Sequence, residues 1–188
     1  MERKQAISTK RIVLAALMAA LTVVGSSLRV TLPVAIMGTT AFHLGNIFCA
    51  LSGILLGPGL GGLAAGLGSA IYDMTNPMYI SEAWITFLMK GAYGLTTGLI
   101  VWTGKKHDGY GKMTVATVAG AVVYAVLYLA KNFFKGTLVK GLTATASAIA
   151  LIDKVPATVF NAVVAILFAP MLAAAIRKAL EKNHLSLN

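Results

Sequence analysis

Lys90 lies about two turns into a strongly apolar, helix-forming stretch, Ala83 to Thr103, and is the ionisable side chain most in need of a reason. A charged amine at that depth in a membrane is costly unless it reaches the interface or faces a polar cavity. Helical geometry puts Thr86 (i−4), Tyr93 (i+3) and Gly94 (i+4) on its face, so a hydroxyl, an aromatic ring and a gap stand beside the ammonium. Those groups suit the holding of a polar molecule. The plain alternative is a lysine that only stretches to the interface. Lys131 and Asn132 close the fifth apolar run, and Asn161 lies about two turns into the sixth, so three helices offer polar groups at similar depth. Asn161 reads equally as a ligand contact or an interhelical hydrogen bond. His43 and Asn46 open the second run one turn apart, and Asp73 closes the third, where it can pair with Lys90 or Lys131. Tyr79 and Trp84 fit an interfacial aromatic belt as readily as a stacking platform.

Bond-breaking chemistry finds no support. The chain has no Gly-rich phosphate loop, no Gly-x-Ser-x-Gly, no His-Glu-x-x-His and no paired carboxylates on one helix, so neither an enzyme nor an ATPase is expected. Cys49 is the single cysteine, and His43 has no partner because His107 and His184 are expected on the opposite side, so no disulfide, metal or other cofactor is expected.

The elements that must position these groups follow from composition. With 188 residues, 57% hydrophobic and 12% charged, and a mean hydropathy of +0.79, the chain reads as an all-α integral membrane protein forming one transmembrane domain over residues 1–188. A net charge of +10 would suggest nucleic acid in a soluble protein, but here the basic residues sit in short segments between apolar runs and set topology instead. The organising stretch is Phe42 to Asp73, uncharged between His43 and Asp73, with Gly57-Pro58-Gly59 as a tight turn between two short helices. The pairs Gly53 and Gly57, and Gly62 and Gly66, each four apart, allow close helix contact. Six spans are expected: Ile12 to Leu28, Thr40 to Leu56, Leu60 to Tyr72, Ala83 to Thr103, Met113 to Phe133 and Asp153 to Ile176. A re-entrant second and third pair would leave four true spans and the same placement of the termini.

With both termini cytoplasmic, ten of the 16 basic residues face inward. The other six, Arg29, Lys90, Lys131, Lys135, Lys140 and Lys154, gather on the outer side with Asp73, Glu82 and Asp153 and need a separate explanation. The apolar segment Arg29 to Ala41 is expected to fold back over the bundle as a lid. On the first helix, Ala15, Ala16, Ala19 and Ala20 form a smooth face for this bundle or for another subunit.

The ordered set of that alanine face, His43-Leu44-Gly45-Asn46, Leu56-Gly57-Pro58, Gly66-Leu67-Gly68-Ser69-Ala70, Asp73 and Lys90-Gly91 with Gly94 resembles the substrate-binding S component of energy-coupling factor (ECF) vitamin transporters. The resemblance is nearest to the riboflavin-type branch, which includes hydroxymethylpyrimidine and pyridoxine members, and covers nearly the whole chain. It implies a bundle of six transmembrane helices in a prokaryotic plasma membrane, enclosing one vitamin near the outer face. It also implies docking of the alanine face on a transmembrane T component joined to two cytoplasmic ATPases, and inward delivery by toppling. A pyrimidine or pyridine ring suits the mixed hydroxyl, amide and aromatic side chains. Riboflavin, pantothenate or a self-contained small transporter are the alternatives, and the lysine cluster favours an acidic vitamin among them. Branch members often carry a Gln a few residues after the sixth-helix Asn, where this chain reads Asn161-Ala162-Val163-Val164.

Overall fold

A computed structural model describes residues 8–34, 38–104 and 109–183. Lys105, Lys106, His107, Asp108 and His184 lie outside them. Helix α1 (Thr9–Ser27) leads into an antiparallel hairpin, β1 (Arg29–Val34) and β2 (Gly38–His43), paired from Arg29 opposite His43 to Val34 opposite Gly38. Then come α2 (Gly45–Leu56) and α3 (Pro58–Met74), a 3-10 turn at Ile80–Glu82, and α4 (Ala83–Trp102). Helix α5 (Tyr110–Phe134) runs into a π-helical turn at Lys135–Val139, followed by the short α6 (Ala144–Ile152) and α7 (Val155–Lys182).

The hairpin and α6 depart from the purely helical, six-element expectation. The second helix was expected from Thr40, yet it begins at Gly45. Thr39 and Thr40, which suit extended backbone, pair with Pro33 and Leu32, and the Asn161 amide engages Ala41 O and His43 N. With their backbone groups committed sideways, these residues do not join a helical ladder. His43 therefore sits on a strand and Asn46 on a helix, not on one helical face. Helix α6 starts where the Thr143 hydroxyl accepts from Ala146 N at 3.2 Å, the usual role of a threonine cap.

Among the described residues, four helical segments are long and apolar enough to cross a membrane: α1, α4 with its leading turn, α5 with the π turn, and α7. Helix α2 has only 12 residues, but its ends show where it runs. Leu44 N donates to Gly25 O at 3.0 Å beside the far end of α1. At the other end, Arg11 donates to Leu56 O at 2.7 Å, and Arg177 and Trp102 donate to Ile54 O at 2.9 and 3.1 Å. The α2 hydrogen bonds thus bracket α1 from Arg11 to Gly25, about 21 Å of helix at 1.5 Å per residue. Carbonyls at a helix C-terminus lack partners within the helix and attract cations, which is the need these three donors meet. The Gly57-Pro58 turn is thereby clamped at the end of the bundle opposite the hairpin.

The core is made of small side chains: Cys49, Ala50, Ala65, Ala116, Ala165, Ala169 and Ala173 are fully buried. Glycines of α3 meet α4 backbone, so that a Cβ on Gly66 would lie 2.8 Å from Phe87 O. On α1, Ala15 and Ala19 pack against the chain's own core, whereas Ala16 and Ala20 face outward. Half of the alanine face is therefore used by this chain's own core and half is exposed.

Candidate functional site

At the hairpin end the helices enclose a cavity of about 430 Å³. Its floor is on α4. Lys90 is 4% exposed, donates to the Asn46 Oδ1 of α2, and lies 4.0 Å from the centroid of the Tyr124 ring. A buried ammonium with an amide acceptor and an aromatic face has an environment that tolerates its charge. Thr86, one turn away, lines the same cavity, but Tyr93 lies beneath it, stacked on Tyr124 at 6.0 Å and 17°. The Tyr93 hydroxyl is buried without a hydrogen-bond partner among the described residues.

The α5 wall repeats with helical spacing. Tyr124, Tyr128, Lys131 and Asn132 all line the cavity, and the two rings stack at 5.8 Å and 26°. Sequence reasoning took Lys131 and Asn132 but passed over Tyr124 and Tyr128, although spacings of four, then three and four, place all four residues on one face. Across the cavity, Arg29 at the start of β1 lies between two tyrosines. Its guanidinium donates to Tyr72 and Tyr79 hydroxyls at 2.9 and 3.1 Å and sits 5.4 and 4.7 Å from their ring centroids. Thr39 Oγ1 stands 3.4 Å from the Tyr79 hydroxyl, joining β2 to the loop before α4. Tyr79 is thus a cavity wall, whereas Trp84 is 67% exposed and does not line the cavity.

The ion pairs differ from expectation. Asp73 lines the cavity but forms no ion pair among the described residues. Glu82 instead accepts from Lys131 at 2.6 Å and from Lys135. The 3-10 turn places Glu82 immediately ahead of α4, facing the end of α5, while Asp73 is on α3 beside Thr86.

The hairpin is fastened over the cavity by α7. Asn161 accepts from His43 N and donates to Ala41 O, both at 2.9 Å, so its amide imitates a neighbouring strand. Lys154, one residue ahead of the α7 span, donates to Thr39 O at 2.5 Å. Burial, and then the ammoniums of Lys131, Lys140 and Lys135, push the Lys154 pKa down to about 8. His43 Nδ1 accepts from Gly45 N at 3.1 Å and also lines the cavity. Replacing Asn161 with alanine leaves both β2 groups to find new partners, and each lost hydrogen bond of this kind costs about 1 kcal/mol. Hydrogen exchange at His43 is expected to accelerate in that variant while exchange in α4 stays unchanged. Equal protection of His43 in the variant and the parent would show that Asn161 does not hold the hairpin.

No cluster of three or more His, Cys, Asp or Glu side chains suited to a metal occurs among the described residues. The arrangement is a partly open chamber of mixed polar and apolar lining with a lysine floor, a tyrosine wall and the strand hairpin at one side, which can hold a small molecule bearing hydrogen-bonding groups. A family model described as "ECF-type riboflavin transporter, S component" matches residues 6–178. A protein of Pyrococcus woesei described as "Uncharacterized protein in gap 3'region" is 36% identical over 87 residues, covering 46% of this chain and 55% of that protein. The chain thus spans about half the length of the curated relative it matches.

Proposed function

The chain belongs to the family of ECF-type riboflavin transporter S components, and from that premise we propose that it binds a pyrimidine or pyridine vitamin, or a precursor of one, within the hairpin-end cavity. Members of this family are substrate-binding transport subunits and not enzymes. The observation that carries the reading is the chamber itself, about 430 Å³ with the buried Lys90 at its floor and the hairpin fastened above it. Its hydroxyl, amide and ammonium groups suit a compact heterocycle with polar edges better than the extended apolar surface of a flavin. Lys90, Thr86, His43, Asp73, Lys131, Asn132 and Asn161 line the chamber, with Asn46 and Tyr93 supporting its floor.

In this reading all six long or intermediate helices cross the membrane. The hydrogen bonds at the two ends of α2 support that number over the re-entrant alternative, because the hairpin turn reaches the depth of Arg11 and Arg177. The termini are cytoplasmic, the membrane is a prokaryotic plasma membrane, and the cavity faces outward. Ala16 and Ala20 dock on a transmembrane T component, and two cytoplasmic ATPases supply the energy that topples the loaded subunit. This chain needs no cofactor of its own, and residues 1–188 act as one domain. The test is to purify the protein alone in mild detergent, denature it, and identify released small molecules by mass spectrometry. A vitamin at one equivalent per chain is expected. An empty protein that also fails to respond to every water-soluble vitamin in a thermal-shift panel would defeat the proposal.

A further inference from the structure

Cationic side chains outnumber carboxylates among the described residues around the cavity. Among the described residues lining it, six are cationic and two are acidic. Arg29 is held by tyrosine hydroxyls and Lys90 by an asparagine amide, so both cations have neutral partners. Lys131 and Lys135 share the single carboxylate of Glu82, and Lys140 and Lys154 line the same side.

The backbone is shaped to gather them. Lys131 and Lys135 are four residues apart, hence on one helical face. Lys140 follows by five, which in an α-helix would turn it about 140° away at 100° per residue. The π turn, with more residues per turn, reduces that rotation: Lys140 N donates to Lys135 O at 3.1 Å, and both side chains line the same cavity. π turns are rare and occur often at functional sites. Lys154 reaches the group from the start of α7. Like charges brought together in this way repel one another, and an anion placed among them removes that repulsion.

We propose that the ligand of this cavity carries an anionic group, a carboxylate or a phosphate, received by Lys131, Lys135, Lys140 and Lys154 where α5 meets α7. The inference rests on the vitamin-binding reading and narrows it to acidic members of the substrate class.

Matched pairs that differ only in the acid test it: nicotinate against nicotinamide, pyridoxine 5′-phosphate against pyridoxine, FMN against riboflavin, pantothenate against panthenol. Titration calorimetry on ligand-stripped protein is expected to show the tightest binder as an acid, favoured over its neutral twin by about tenfold or more, close to the worth of one charge-assisted contact. The advantage shrinks at high salt, and it shrinks in Lys135→Gln and Lys140→Gln, whose side chains are partly exposed and tolerate the change. The neutral twin should bind these variants as it binds the parent. A neutral compound binding as tightly as its acid, or a neutral vitamin released on denaturation, overturns the inference and leaves the proposed function standing. Binding of no vitamin at all overturns both. Phosphatidylglycerol displacing a bound acid from the parent but not from the lysine variants would assign the cluster to lipid headgroups and likewise overturn it.

Discussion

Replacing Lys90 with methionine is expected to weaken ligand binding by about tenfold to a hundredfold, the equivalent of the 1.5–3 kcal/mol of a hydrogen bond to a charged group. The fold should survive, because the substitution keeps the length and much of the volume of the side chain while removing a charge that is 4% exposed. Removing a buried charge relieves a desolvation cost but leaves the Asn46 Oδ1 without its donor, so the two effects oppose each other and the melting temperature of the variant should stay close to that of the parent. Lost affinity with retained stability is the signature of a residue kept for function. Lys90→Gln refines the test, since it keeps a donor for the Asn46 amide but not the charge over Tyr124. If both variants bind the identified ligand within twofold of the parent, Lys90 is a structural link between α4 and α2 and the cavity floor lies elsewhere.

The features legible in the sequence were those that depend on a single helix. Lys90 with Thr86, the turn at Gly57-Pro58 and the six apolar runs all follow from local spacing, and the structure places the start of α4 at the expected Ala83. The features that were missed depend on partners distant in sequence. Arg29 is held by Tyr72 and Tyr79, 43 and 50 residues away in sequence. The strand at Thr39 to His43 could not be told from a helix start without Asn161, 118 residues downstream of His43. Asp73 and Glu82 were both available to Lys131, and only the path of the 3-10 turn decides for Glu82. Tyr124 and Tyr128 are a different case, because their spacing from Lys131 was readable and was overlooked.

Two identical substitutions at opposite faces of one turn are expected to change stability in opposite directions. Gly59→Ala in the first turn of α3 meets open space, with no atom within 4 Å of the added Cβ. It should gain up to about 1 kcal/mol from the better helix propensity of alanine and the smaller entropy of its unfolded chain. Gly98→Ala in α4 has the same propensity argument in its favour and should nevertheless destabilise by about 1–3 kcal/mol. Its Cβ would lie 2.6 Å from Gly57 C and Pro58 N and 2.7 Å from Pro58 Cα, all backbone atoms. That turn cannot withdraw, because Gly57 holds a left-handed φ of 81° and the carbonyls of Ile54 and Leu56 just before it are gripped by Arg11, Trp102 and Arg177. Helix α4 must move instead, and it carries Lys90 and Thr86 with it. Gly98→Ala is therefore expected to lower both the melting temperature in detergent and the affinity for ligand, although it lies at the end of the bundle away from the cavity. Equal melting of the two variants would mean that α4 does not touch the turn, and the depth assigned to the α2–α3 hairpin would fall with that contact.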